Sequence, residues 1–415
     1  MLDLKTYKEK FHFSLNYYSI FLLVTFIPDF TGISPSIIRY GYWLVKLLFA
    51  CWVINKSKKS FFHFNRYETL FLIVFFIYAA NIFVDVFLFP LHRFSSTVGS
   101  INFVGFLLIL ILAFSFRYEP AYHSEKSFWF FVLSLALGLI IAYFHAFENH
   151  ELDNHNVRYD ANTTVNSIWY GQMGCALALA AIYGLINYKK KLVKVFLIFS
   201  FLLGMFSIAK AGSRSPVVVL AAVSMFFFMA KLGKLKGIII ICVVIGLLFI
   251  FIDPIMDLLA SMGSTLAVRL RSISPSGGSS GRDVIWENVL NLISESPLLG
   301  VYYLVPSGSG AGLYPHNFFL EVFMATGFLG GVPFMILIII SIIQSYKIIK
   351  MKHPASWIII LYLQIVVYGM FSTGLYSSQD FWCLLFYILS IKIYVDKNSP
   401  KTHLIPSAQP SLQVH

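Results

Sequence analysis

The chain has 415 residues, of which 58% are hydrophobic and only 12% are charged. Soluble domains carry about twice that share of charged residues, so the composition excludes an ordinary soluble globular protein. It also disfavours a transmembrane β-barrel, because the lumen-facing positions of a barrel are polar at every second residue. The formal net charge is +12, which suits either nucleic acid or an anionic membrane surface until the charges are placed.

Apolar runs that are long enough to cross a membrane recur along the chain. A spanning helix needs roughly 20 apolar residues, so the hydrophobic content suffices for about twelve of them. We therefore predict an all-α polytopic membrane protein with about twelve transmembrane helices. The predicted spans are 14–31, 37–54, 67–89, 99–116, 127–146, 165–188, 192–209, 215–231, 237–253, 317–346, 355–375 and 378–395.

The distribution of lysine and arginine predicts how these spans are oriented. With the N-terminus inside, the inner segments hold most of the 31 basic residues, as the positive-inside rule requires. Both termini are then cytoplasmic, and most of the net charge faces anionic lipid, so no nucleic acid is needed as a partner. The basic residues of the outer segments are mostly arginines, whose forked guanidinium suits phosphate or carboxylate.

The largest outer loop covers residues 254–316, between the ninth and tenth spans. Loops of this size are usually functional or disordered. This one contains an amphipathic stretch from Asp283 to Glu295 with Ser-Gly-rich sequence on both sides, which predicts a short surface helix. We predict one polytopic membrane domain over residues 1–397 and a disordered cytoplasmic tail over residues 398–415.

Three outer residues, Arg214, Arg282 and His316, each lie near the start of a predicted helix. Backbone N–H groups and the helix dipole favour an anion at that end, and a cation there is unfavourable unless an anion joins it. These residues are therefore the candidate catalytic residues. The alternative interpretation is that the arginines snorkel to lipid headgroups and that His316 is an ordinary interfacial histidine.

The same positions carry recognisable motifs. They are Gly281-Arg282-Asp283-Val284-Ile285-Trp286, Ser296-Pro297-Leu298-Leu299-Gly300, Pro315-His316-Asn317-Phe318-Phe319-Leu320-Glu321 and Gly327-Phe328-Leu329-Gly330, with Gly212-Ser213-Arg214-Ser215 upstream. Together they resemble the signature of the O-antigen ligase/polymerase superfamily, over about residues 205–335.

The resemblance implies a glycosyltransferase at the periplasmic face of a bacterial inner membrane. The donor that it implies is a glycan on undecaprenyl diphosphate. The acceptor is lipid A-core in a ligase and another lipid-linked repeat unit in a polymerase. Of the two, we favour the polymerase as the interpretation. The family is thought to invert the anomeric carbon with neither a metal nor another cofactor. The implied partners also include membrane lipids, a chain-length regulator and a flippase.

The candidate residues make chemical sense of that reaction. A diphosphate leaving group gains negative charge as its bond breaks, and the chain has no Asp-x-Asp pair to hold a metal. Arg214 and Arg282 would take the place of the metal, and His316 would bind or deprotonate the acceptor hydroxyl. The further candidates for substrate binding are Arg269, Arg271, Lys210, Asn317, Glu321 and Trp286.

Three of these further candidates have open alternatives. Glu321 lies inside a predicted span, where a carboxylate needs a partner; it either orients His316 or pairs with an arginine, in a catalytic or a structural role. Trp286 either stacks on a sugar or anchors the chain at the membrane interface. Lys210 either contacts phosphate or simply ends a helix.

A multi-span transporter, such as a flippase for lipid-linked glycan, is the alternative function. Transporters usually have repeated halves with broken or charged helices near the bilayer midplane, whereas the candidate residues here cluster on one predicted face. A non-catalytic scaffold for glycan assembly is a third possibility, but a scaffold would not need arginines and a histidine at three helix starts.

Overall fold

The computed structural model of the chain describes residues 14, 17–56, 64–89, 96–117, 124–149, 158–233, 235–239, 253, 254, 257, 261, 266, 282–395 and 402–405. Its described helices are α1 Tyr18–Val24, α2 Ile27–Thr31, α3 Pro35–Lys56, α4 Arg66–Phe83, α5 Ser96–Ser115, α6 Glu125–His145, α7 Ser167–Asn187, α8 Lys191–Ala211, α9 Ser215–Leu232, α10 Arg282–Glu295, α11 Phe318–Lys350, α12 Ser356–Tyr368 and α13 Gln379–Ser390. A π-helical turn, Val84–Leu88, extends α4, and a 3-10 turn, Leu375–Ser377, precedes α13.

Two short antiparallel hairpins accompany the helices. The strands β1 Phe147–Asn149 and β2 Arg158–Asp160 pair with each other, so that Glu148 lies opposite Tyr159. The strands β3 Lys392–Val395 and β4 Thr402–Ile405 form the second hairpin.

Eight described helices are long and apolar enough to cross a membrane, which confirms the predicted class of polytopic helical protein. They are Pro35–Asn55, Arg66–Leu88, Val98–Ser115, Glu125–His145, Ser167–Asn187, Lys191–Ala211, Ser215–Leu232 and Phe318–Lys350. Two shorter apolar helical segments, Tyr18–Thr31 and Ser356–Tyr368, match the first and eleventh predicted spans. The span 237–253 lies mostly outside the described residues, so the number twelve stays a prediction.

Several boundaries differ from the sequence prediction. The first predicted span is divided between α1 and α2. The eleventh ends at Tyr368 instead of residue 375, and the twelfth ends at Ser390, where the chain becomes a strand. Strand Thr402–Ile405 lies in the tail that was expected to be disordered. The apolar runs therefore predicted where the helices occur, but they did not predict the residues at which the helices end.

The chain forms two compact units, each made of three segments. Unit 1 comprises Met1–Lys46, Ala121–Gly278 and Tyr346–Val367, and unit 2 comprises Leu47–Pro120, Ser279–Ser345 and Tyr368–His415. The loop residues that the motifs single out, from Arg282 to Glu321, all belong to unit 2, whereas Arg214 belongs to unit 1.

Helix α7 is the centre of unit 1. Every residue from Tyr170 to Ala181 is buried, and α7 packs against both α8 and α9. The closest approach is to α8, where a Cβ added at Gly174 would lie 2.7 Å from the carbonyl oxygen of Gly204. A larger residue at either glycine would force these helices apart.

An aromatic cluster around Trp382 on α13 is the core of unit 2. The indole is fully buried and has ring contacts with Phe71, Phe75 and Phe106, which lie on α4 and α5. Its Nε1–H donates to the Leu375 carbonyl at 2.9 Å, so even the polar atom of this side chain is paired. Such buried aromatic clusters contribute strongly to stability.

The start of α4 is fixed by a capping box and an ion pair. The Asn65 side chain accepts from the backbone N–H of Glu68, and Glu68 accepts from the backbone N–H of Asn65 at 2.6 Å. Arg117 then donates from Nε to Glu68 Oε1 at 3.0 Å, and both side chains are buried. These contacts satisfy the N–H groups that an uncapped helix start leaves unpaired.

Candidate active site

Helix α10 confirms the amphipathic helix that was predicted in the large loop, and its apolar face fixes its position within unit 2. Val289 and Leu292 are buried against Val305 and Met324, the latter on α11. This packing holds the N-terminal turn of α10, where Arg282 lies. The guanidinium of Arg282 is partly buried, and its Nη2 donates to Ser372 Oγ at 3.5 Å.

Trp286, one turn after Arg282, connects α10 to the histidine loop. Its indole Nε1–H donates to the carbonyl oxygen of Pro315 at 2.9 Å. Residues four positions apart lie on one face of a helix, so this bond brings the Arg282 face of α10 against the residue before His316. The contact suits a positioning role for Trp286, which the sequence did not suggest; sugar stacking and interfacial anchoring stay predictions.

His316 has an unusual backbone conformation and an unpaired ring. Its φ is 59°, in the left-handed region that residues other than glycine seldom adopt and that clusters at functional sites. The ring contacts Tyr314 with a centroid distance of 4.3 Å. Nδ1 is buried and has no hydrogen-bond partner in the part of the chain that the structure describes.

The electrostatic surroundings of His316 keep it neutral at physiological pH. Burial lowers the pKa of His316, and the positive charge of Arg282 lowers it further, to about 4. A neutral imidazole can accept a proton. The sequence predicted neutrality from the helix start, whereas the structure attributes it to burial first and to Arg282 second.

Asn317 caps α11 directly after the histidine. Its side-chain Oδ1 accepts from the backbone N–H groups of Phe319 and Leu320, at 2.9 and 3.2 Å. This is the typical arrangement of an N-cap residue. Asn317 therefore fixes where the helix begins through its side-chain oxygen, and the substrate-binding role predicted for it stays a prediction.

Glu321 is buried, and its carboxylate is fully engaged. It accepts from the hydroxyl of Tyr78 at 2.6 Å, from the N–H of Leu375 at 2.8 and 2.9 Å, and from the N–H of Tyr376 at 3.2 Å. The sequence predicted that Glu321 orients His316 or pairs with an arginine. Its hydrogen bonds join the 3-10 turn to α11, and a role in substrate binding stays a prediction.

A second buried carboxyl group, that of Asp85, holds the backbone at Tyr303. Asp85, on the π-helical turn, accepts the backbone N–H of Tyr303 at 2.8 Å, and Asn102 donates to the Tyr303 hydroxyl at 3.3 Å. The ring of Tyr303 contacts that of Tyr376 at 5.5 Å. Nothing in the sequence singled out Tyr303 or Tyr376, because only the fold brings each of them to this region.

The basic candidates of unit 1 have a different environment. Arg214 precedes α9 and is partly exposed, and its backbone carbonyl accepts from Val217 at 3.2 Å, whereas its side chain has no hydrogen bond or ion pair with the residues described. Gly212 ends α8 with φ 65°, which makes the short turn predicted at this motif. Lys210 donates to the Tyr143 carbonyl at 2.8 Å and lies over the rings of Tyr143 and Tyr159. These contacts connect the end of α8 to Tyr143 and Tyr159.

The remaining sequence candidates, Arg269 and Arg271, lie outside the described residues. No group of three His, Cys, Asp or Glu side chains that could hold a metal occurs within the described ranges. The absence of a metal requirement stays a prediction.

Comparison with known proteins bears on the segment that holds these residues. Residues 199–335 match the O-antigen ligase family. The match confirms the resemblance to the O-antigen ligase/polymerase superfamily that the motifs indicated. The matched segment begins within α8, ends within α11, and contains Arg214, Arg282 and His316. No similar curated protein was found for the chain.

Proposed function

We propose that this protein is an inner-membrane glycosyltransferase that moves a glycan from undecaprenyl diphosphate to an acceptor glycan on the periplasmic face. The observation that carries the proposal is the pairing of Arg282 with a neutral His316. The Trp286–Pro315 hydrogen bond brings the helix of Arg282 against the histidine loop, and Arg282 acts electrostatically on the imidazole. A permanent cation beside a neutral base suits an anionic leaving group and a hydroxyl nucleophile.

The reaction forms one bond and breaks another at the anomeric carbon of the donor. The acceptor hydroxyl oxygen attacks that carbon while its bond to the diphosphate oxygen breaks, and the diphosphate leaves with the bonding electrons. His316 takes the proton of the hydroxyl, and Arg282 offsets the charge that develops on the diphosphate. Attack from the face opposite the leaving group inverts the anomeric carbon, and no metal takes part.

Arg214 enters this proposal on its sequence motif alone. It is a partly exposed arginine directly before α9, where helix geometry favours an anion. We keep it as a second candidate for the donor diphosphate, to be tested in the same series as Arg282.

Variants of Arg282 and His316 separate donor binding from transfer. With purified protein in nanodiscs, Arg282→Lys should lose transfer about a hundredfold, because a lysine lacks the fork that matches a diphosphate. Arg282→Ala should also bind the undecaprenyl-diphosphate glycan weakly. His316→Ala should lose transfer by roughly a hundredfold or more but bind the donor nearly normally.

The control is Arg66→Lys, since Arg66 is exposed at the start of α4 and donates to Tyr67. Arg214→Lys is measured alongside, and all assays are repeated in excess EDTA. Normal transfer by the His316 variant would contradict the proposal, and a strict metal requirement would contradict the role of Arg282.

Deletion in the host bacterium distinguishes a polymerase from a ligase, and we favour the polymerase. Lipopolysaccharide gels should then lose the ladder but keep a single repeat unit on lipid A-core. If the protein is a ligase, all O-antigen should be missing and glycan should accumulate on undecaprenyl diphosphate. An unchanged gel pattern would contradict both.

A further inference from the structure

Four tyrosines of unit 2 surround the histidine loop, and we call them the tyrosine cluster: Tyr303, Tyr314, Tyr368 and Tyr376. The ring of Tyr376 contacts those of Tyr303 and Tyr314, at centroid distances of 5.5 and 6.3 Å. Tyr314 in turn contacts the ring of His316 at 4.3 Å. The aromatic contacts therefore form a continuous series that ends at the proposed base.

The remaining member, Tyr368, joins this group through the turn that follows α12. Ser372, which accepts the hydrogen bond of Arg282, donates its own backbone N–H to the Tyr368 carbonyl at 3.2 Å. Tyr368 also lies within electrostatic range of both Arg282 and Tyr314. The cluster and the proposed phosphate-binding arginine are thus neighbours.

Buried carboxylates hold the backbone of this cluster in place. Asp85 accepts the N–H of Tyr303, and Glu321 accepts the N–H of Tyr376. Both carboxyl groups are almost fully buried, at 5% and 0% exposed, and their oxygens accept from backbone N–H groups. The side chains of the cluster are therefore preorganised, which lowers the entropy that a ligand must overcome on binding.

The polar atoms of the cluster are largely unpaired. Tyr368 is only 3% exposed, yet its hydroxyl has no hydrogen-bond partner among the described residues, and neither has Nδ1 of His316. Tyr314 and Tyr376 are partly exposed, and their hydroxyls make no hydrogen bond within the described ranges. Buried polar groups are normally paired, so the two unpaired buried atoms, in Tyr368 and His316, indicate a ligand that carries matching groups, and the partly exposed hydroxyls of Tyr314 and Tyr376 can contact the same ligand.

The chemistry of these groups identifies the class of ligand. Tyrosine hydroxyls both donate and accept hydrogen bonds, and aromatic faces pack against apolar C–H groups. A neutral ligand that alternates hydroxyls with C–H faces, which is to say a carbohydrate, satisfies both. Because the cluster adjoins the residue that takes the hydroxyl proton, the carbohydrate it holds is the nucleophile.

We propose that Tyr314, Tyr368 and Tyr376 form a carbohydrate subsite that binds the terminal sugar of the acceptor glycan beside His316. This inference rests on the proposed transfer function and names the groups that recognise its acceptor. The subsite orients the attacking hydroxyl toward the base by hydrogen bonds to its neighbouring hydroxyls. The three tyrosines then act on acceptor binding and not on the donor diphosphate.

The test removes one hydroxyl at a time and keeps the ring. Tyr314→Phe, Tyr368→Phe and Tyr376→Phe are prepared as full-length proteins in nanodiscs, with Tyr40→Phe as the control because Tyr40 is 63% exposed on α3. The probe is a fluorescent, lipid-free oligosaccharide: the host's repeat unit if the deletion shows a polymerase, and the host's core oligosaccharide if it shows a ligase. Its Kd is measured without donor, and the acceptor KM and donor Kd are measured separately.

Each single variant should weaken oligosaccharide binding and raise the acceptor KM by about two- to tenfold, the worth of one hydrogen bond. The triple variant should lose more, and donor affinity should stay unchanged in all of them. Wild-type acceptor KM in the triple variant, while transfer proceeds, would overturn the subsite and leave the transferase intact. Absence of transfer by the wild-type protein would instead overturn the proposed function.

Discussion

His316 combines three properties that rarely occur together in a structural histidine: a left-handed backbone, a buried unpaired nitrogen, and a pKa lowered to about 4 by burial and by Arg282. A base with so low a pKa is weak in the free protein. Under the proposed function, binding of a diphosphate beside Arg282 would add negative charge, offset the arginine and raise the pKa of His316. The donor would thereby make His316 a stronger base in the complex.

The pH dependence of transfer should show this coupling. His316 is active when neutral, so activity falls as pH falls through its pKa. The acidic limb of the pH profile of kcat/KM reports the pKa of His316 in the free protein and should lie near pH 4. The acidic limb of the kcat profile reports the pKa in the substrate complex and should lie at a higher pH. Initial rates at limiting and saturating donor, between about pH 3 and pH 8, measure both limbs.

The matched control for this profile is His353, in unit 1, where burial also lowers the pKa to about 4. His353→Asn should leave both limbs unchanged. If kcat and kcat/KM fell at the same pH in the wild-type protein, the donor would not act on His316 as described.

Trp286→Phe tests the positioning role of the indole. The phenyl ring keeps the apolar contacts but loses the hydrogen bond to the Pro315 carbonyl, so we expect transfer to slow by up to about tenfold, with donor affinity nearly unchanged. A looser loop admits water, so the acid limb should also move toward the ordinary pKa of histidine. Kinetics over the same pH range provide both readouts.

Trp129→Phe is the control for this substitution, because Trp129 donates to Glu125 at 3.3 Å in unit 1. It loses the same kind of bond and should retain transfer. A Trp286→Phe variant with normal rate and profile would show that the bond does not position His316.

At the residue scale, the sequence indicated which residue types belong to the site but not how they are paired. Arg282 and His316 were found because each stands beside a helix start, which is a local feature. The partners of Glu321 were not, because Tyr78 and Tyr376 lie far from it in the chain and on separate elements. An intramembrane carboxylate predicts that a partner exists but does not identify it.

Among the elements, α11 departs most from its prediction, because it is broken at Gly327 (φ 56°, ψ −154°). The loop before it replaces the lost helical hydrogen bonds. Phe328 donates to the Pro297 carbonyl at 2.7 Å, and the Met324 carbonyl accepts from Val301 at 2.7 Å. The sequence predicted one continuous span here, since an apolar run gives no sign of a break that depends on a distant loop.

Gly327→Ala should destabilise the protein. Its backbone angles lie in a region that is essentially restricted to glycine, and a Cβ there would clash with the backbone of Leu298. We expect a loss of about 2 kcal/mol or more, measured as a lower Tm in detergent. Gly105→Ala is the control, because a Cβ at Gly105 meets nothing within 4 Å; an equal Tm in both variants would contradict the role of the break.

For the whole molecule, composition predicted the class well because a bilayer imposes one requirement on every span: its backbone groups must pair internally and its side chains must be apolar. Orientation rests on charge counting and remains to be measured. A reporter that is active only after export, fused at Ser279, should be active, because the flanks of the large loop obey the positive-inside rule. Activity of a cytoplasmic reporter at that position, with a matched fusion after Lys397 as the reference, would contradict the site assignment.

The break at Gly327 also determines how deep the site lies relative to the lipid. As one rod, the 33 residues of α11 would be about 50 Å long, well beyond a hydrocarbon core of about 30 Å. Residues 328–347 alone are about 30 Å long and end at Lys347, which suits a headgroup region. With that segment as the span, the turns from Phe318 to Thr326 would stand above the acyl chains, and Glu321 would be surrounded there by protein. Under the proposed function, His316 would then meet a lipid-anchored diphosphate at the level of the headgroups, where a polar acceptor could reach it from water.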